Sequence, residues 1–99
     1  MHQLISEIEQ RLDTMFAALA AGADLPPSQR LRTEGMLESA ALLAIASPEE
    51  LVAIMERRYG AAFGRTLAED LGEDWREFFP FPQIPAMARR APVYPTTSD

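Results

Sequence analysis

The chain has 99 residues, 47% of them hydrophobic and 24% charged, with a formal charge of −6 and no cysteine. A chain of this length holds one core, and the missing thiols exclude disulfides, thiol nucleophiles, iron–sulfur clusters and cysteine zinc sites together. A single histidine, His2, leaves no material for a Ser/His/Asp triad or a multi-histidine metal site.

The N-terminal segment predicts an amphipathic helix. At about 100° per residue, Leu4, Ile5, Ile8, Leu12, Met15, Phe16 and Leu19 fall in one arc of about 120°. The opposite side holds Ser6, Glu7, Glu9, Gln10, Arg11, Asp13 and Thr14. Gly22 suits a left-handed cap, and Pro26-Pro27 closes the connection. Glu7 and Glu9 stand where a secretory signal would be basic and then apolar, and an acidic polar face does not suit anionic lipid. The longest nearly apolar run, residues 40–46, is far shorter than the roughly 20 residues of a membrane span. A cytoplasmic protein without membrane contact is expected.

A second helix is predicted from Pro27 or Ser28 to Ala46, with proline tolerated in its first turn. Nine of the eleven residues from Met36 to Ala46 are apolar, which predicts a central helix covered on several sides. Gly35 costs about 1 kcal/mol relative to alanine in a helix interior, which predicts a close crossing or a bend there. Ser47-Pro48-Glu49-Glu50 reads as a helix start with a capping box. The third helix should bury Leu51, Val52, Met55, Tyr59, Ala62 and Phe63, weaken at Gly60 and Gly64, and resume over residues 65–71. Gly72 reads as a stop, with one or two further turns over 73–79.

The last twenty-five residues differ in texture, with five of the eight prolines (Pro80, Pro82, Pro85, Pro92, Pro95) and five of the eight aromatics. Proline removes a donor and restricts the residue before it, so residues 80–99 predict an extended arm with at most a short helical turn over 86–90. No internal repeat and no period-2 alternation supports a sheet. The expected fold is all-α: a three- or four-helix bundle over residues 1–79, with a proline-rich arm over 80–99 packed on the bundle or on a partner.

No pattern announces catalysis. The five glycines have no P-loop or dinucleotide spacing, and no nucleophile and base stand together, so neither an enzyme nor a cofactor is expected. Glu69, Asp70, Glu73, Asp74 and Glu77 lack the spacing of a calcium loop and read as a solvated face. The tight turn at Ser47-Pro48 resembles a helix-turn-helix in connectivity. Glu49 and Glu50 at the reading end and the net acidity oppose a nucleic-acid partner. Nor is the chain a DNA mimic, because residues 30–66 are neutral, with five arginines against five glutamates.

All nine basic residues are arginine, a usage consistent with a GC-rich bacterial genome. Arg30 is spaced to pair with Glu34, and Arg57, Arg58 and Arg65 form a basic group suited to ion pairs within the chain or across subunits. Trp75, Phe78, Phe79, Phe81, Ile84 and Met87 make too much apolar surface to leave in water. They should lie along a groove of their own chain, of a second subunit or of another protein. The leading expectation is a small interaction protein of the regulator, inhibitor, immunity or adaptor type. It would contact a protein partner or a second copy, as a homodimer, through Arg57, Arg58 and these six apolar residues. The alternative is a helical ligand-binding domain, with Tyr59, Phe63, Trp75 and Arg57 or Arg58 around an amphipathic or anionic metabolite.

Overall fold

A computed structural model describes residues 2–85. They form five helices: α1 Gln3–Ala20, α2 Pro27–Leu42, α3 Pro48–Phe63, α4 Leu67–Leu71 and α5 Trp75–Phe78, with no strand among them. The three long helices pack together, and α1 makes the main contact with both of the others. Ion pairs from Glu9 and Asp13 to Arg57 and Arg58, and the packing of Phe16 on Tyr59 and Phe63, show that α1 and α3 run parallel. Residues 36–46 therefore do not supply the central helix. α1 does, burying Ile5, Ile8, Leu12, Met15, Phe16 and Leu19 on its predicted face.

α2 departs from the sequence expectation in two ways. It ends at Leu42 rather than Ala46, because Ala44 turns into the left-handed region at φ 58°. There the Ile45 N–H donates to the Ala40 carbonyl at 2.9 Å and Ala44 N–H to Ala41 at 3.1 Å, a closing pair of Schellman type. The same closure ends α1, where Ala23 N–H bonds Ala18 at 2.9 Å and Gly22 N–H bonds Leu19 at 3.0 Å. There the left-handed residue is the glycine the sequence offers, Gly22 at φ 89°. Secondly, α2 is not covered all round. It buries Thr33, Glu34, Leu37 and Ala40, while Leu31 is exposed and Leu42 and Leu43 stand 82% and 66% exposed. Gly35 makes no close crossing among the described residues, since a methyl group at its α-carbon would meet none of their atoms within 4 Å.

The remaining helices follow their local chemistry. Ser47 and Glu50 form the expected capping box, and α3 buries Ile54 besides the predicted Leu51, Val52, Met55 and Tyr59. Ala62 and Phe63 are half-buried against the same core. Gly64 ends α3, and Thr66 with Glu69 builds a second capping box that starts α4. Asp70 then ties α4 back to α3 by accepting hydrogen bonds from the Tyr59 hydroxyl and the Arg65 guanidinium. That hydrogen bond and the nearby carboxylate raise the Arg65 pKa above its usual value. At the other end of the chain, His2 Nδ1 accepts from the Leu4 N–H at 3.0 Å, giving the lone histidine a capping role.

Ala44 holds a left-handed conformation that costs an L-residue about 1 kcal/mol and glycine almost nothing. Ala44→Gly should therefore raise the unfolding free energy by up to about 1 kcal/mol, less the extra chain entropy of glycine. Urea denaturation followed by helical circular dichroism reads this directly, and a loss of stability would contradict the assigned closure.

Candidate functional site

The aromatic segment begins at α5, a single turn whose side chains divide between core and solvent. Trp75 is 4% exposed and belongs to the central cluster, whereas Phe78 is 68% exposed. Phe79 and Phe81 are half-buried against that cluster. The chain then turns, with the Gln83 N–H donating to the Pro80 carbonyl at 2.9 Å across a cis Phe81–Pro82 peptide. Ile84, 1% exposed, enters the core, and the side chain of Pro85 is fully buried.

What holds this entry in place is a carboxylate. Glu34 Oε2 accepts the Ile84 backbone N–H at 2.8 Å and Arg30 Nη1 at 2.9 Å. The Glu34 side chain is only 11% exposed, and the contact joins positions 50 residues apart in sequence. Burying a carboxylate is unfavourable unless its oxygens are bonded, and here one oxygen carries both a backbone donor and a guanidinium. The i, i+4 spacing of Arg30 and Glu34 announced the ion pair. No local signal announces the third member, because a backbone N–H has no sequence signature.

The basic group is taken up by acids of the same chain. Arg57 reaches Glu9 at 3.6 Å, and Arg58 reaches Glu9 at 3.2 Å and Asp13 at 3.5 Å. These pairs lie on the outer seam of α1 and α3, where partly exposed ion pairs contribute at most about 1 kcal/mol. Arg57 keeps 61% of its side chain exposed. Arg58 also lines a shallow cleft of about 250 Å³ with Asp13, Ala17, Ala61 and Ala62. Tyr59 and Phe63 stack at 4.3 Å with Phe16 edge-on to both, so these rings fill the space between α1 and α3.

Of the residues singled out from sequence, the structure therefore brings Trp75 and Ile84 into the core and leaves Phe79 and Phe81 at its margin. Phe78 is in solvent, and Arg57 and Arg58 are on a separate seam. Met87 and the rest of the arm beyond Pro85 lie outside the described residues. Leu42 and Leu43 were missed as surface features because their apolar neighbours suggested a covered helix. Among the described residues no group of three or more His, Asp or Glu side chains is arranged to hold a metal ion. No described helix is long and apolar enough to cross a membrane. The chain matches no family model, no curated protein and no solved structure.

Removing the Glu34 side chain leaves a buried N–H and a partly buried guanidinium without their acceptor. Glu34→Ala should destabilise the protein by about 2–4 kcal/mol, and Glu34→Gln, which keeps an acceptor oxygen, by less. Amide hydrogen exchange supplies the specific readout: Ile84 should lose protection in the alanine variant before the amides of α1 do. Unchanged exchange at Ile84 would mean that the carboxylate does not hold the segment.

Proposed function

We propose that the protein is a small interaction module that works by contact rather than catalysis, taking a protein partner or a second copy of itself on exposed apolar side chains. The observation that carries this reading is the set of large apolar residues left in water among the described residues: Leu42 82%, Phe78 68%, Leu43 66% and Leu31 57% exposed. Leu42 and Leu43 are adjacent, and Phe78 continues into half-buried Phe79 and Phe81, so these are small patches rather than scattered single side chains. Aromatic side chains of this kind supply a disproportionate share of contact energy at interfaces.

Trp75 and Ile84 act in this reading from beneath, as the core side chains that fix where Phe78, Phe79 and Phe81 emerge. Arg57 and Arg58, tethered by Glu9 and Asp13 on the separate α1–α3 seam, stand outside this contact. A cytoplasmic setting and a regulatory, inhibitory or adaptor role are parts of the same proposal.

Phe78→Ser tests it without disturbing the core, because the ring it removes is mostly in solvent. Sedimentation velocity over a concentration series, together with affinity capture from source cells, should show either self-association or one stoichiometric partner. The variant should weaken that association by about tenfold or more at an unchanged melting temperature. A wild-type protein that stays monomeric and captures the same proteins as Phe78→Ser would overturn the reading.

A further inference from the structure

Apart from the aromatic segment, the polar faces of α1 and α2 enclose a cleft of about 360 Å³ lined by Glu7, Gln10, Arg11, Thr14, Met15, Gln29, Arg32 and Thr33. Its floor is set by buried Met15 and Thr33, and the Thr33 hydroxyl is already committed to the Gln29 carbonyl at 3.0 Å. The walls are polar side chains, charged ones of both signs among them, so the balance of charge decides what the cleft can take.

That balance is unusual for this chain. Acids outnumber bases by 15 to 9, and Arg11, Arg30, Arg57, Arg58 and Arg65 each have a carboxylate partner. Arg32, like Arg76, has no ion pair among the described residues, although it sits in an acidic protein, and of the two only Arg32 lines the cleft. No acidic side chain stands in the first turn of α2 to neutralise it. Across the cleft, Arg11 spends its Nε on Glu7 at 3.0 Å, which fixes the guanidinium plane and leaves its two terminal nitrogens without a carboxylate contact among the described residues. Two guanidinium groups, the carboxamides of Gln10 and Gln29 and the Thr14 hydroxyl thus face one polar space. A guanidinium offers paired donors that match a carboxylate or a phosphate in geometry as well as charge.

We propose that this cleft binds a small metabolite bearing one phosphate or carboxylate group, with Arg32 as the principal anion contact and Arg11 as the second. Gln10, Gln29 and Thr14 bond the polar body of the ligand. Glu7 orients Arg11 and sets a limit on ligand charge, because a strongly polyanionic molecule would meet it. This site shares no residue with the aromatic contact surface and stands or falls separately from it.

The test is a ¹H–¹⁵N titration of the full chain with inorganic phosphate and, in a separate series, acetate, each against sodium chloride at matched ionic strength. Saturable shifts should centre on the side-chain resonances of Gln10, Gln29 and Arg32, with the stronger of the two series naming the preferred anion. Arg32→Gln should weaken binding by about tenfold or more, as expected for loss of one charge-assisted contact, at an unchanged melting temperature. Arg76→Gln removes the same charge from a residue outside the cleft and should leave binding as it was. Three results would each overturn the proposal: no saturable shift with either anion, the same shifts in sodium chloride, or equal weakening by the two variants.

Discussion

The buried carboxylate of Glu34 joins the middle of α2 to the segment that follows α5, and much of the packing around α2 depends on that join. α2 has little apolar surface to contribute: of its four buried residues only Leu37 and Ala40 are apolar. Ile84 and Pro85 add apolar volume to the core, and the hydrogen bond from Ile84 fixes the register at which they enter. A polar contact is well suited to that task. Apolar burial is non-directional and would tolerate a shift of the segment by a residue, whereas one N–H aimed at one oxygen would not. Arg30 completes the arrangement by supplying the positive charge that makes a desolvated carboxylate tolerable.

The other side of the molecule is organised differently. α1 and α3 meet through a ring cluster of Phe16, Tyr59 and Phe63, sealed outside by Glu9 and Asp13 with Arg57 and Arg58. The apolar contact holds these helices together, and the ion pairs, being partly hydrated, contribute alignment more than energy. Tyr59 links this cluster onward. Its ring packs in the core while its hydroxyl reaches Asp70, so the last turn of α4 is held by a residue whose main duty is packing. Two of the five acids that looked like a solvated stretch thus have structural work: Glu69 caps α4 and Asp70 binds Tyr59 and Arg65.

The sequence was most legible where burial is periodic. All six core residues of α1 came from one arc of the wheel, and the Ser47 capping box located the start of α3 to the residue. It was misleading where apolar content came from small side chains. Alanines over residues 36–46 raise the apolar count without defining a face, and the wheel there gives no preferred direction; the buried stripe of α2 in fact includes Thr33 and Glu34. The closure at Ala44 was hidden for a related reason, since the left-handed position is held by a residue that ordinarily favours helix. The Thr66–Glu69 box was visible in principle as Thr-x-x-Glu, yet it lies inside an acidic run that drew attention to charge rather than spacing. The Glu34–Ile84 contact belongs to a third kind, a tertiary pairing of a side chain with a backbone group far along the chain.

The same geometry explains why apolar side chains remain in water. In a single helical turn, Trp75 and Phe79 are separated by about 40° and Trp75 and Phe78 by about 60° in the opposite sense. Burying Trp75 with Phe79 at the core margin therefore rotates Phe78 outward. Leu42 and Leu43 follow from the helix end, where the turn at Ala44 brings Ile45 back to the core and leaves the two leucines before it on the outside.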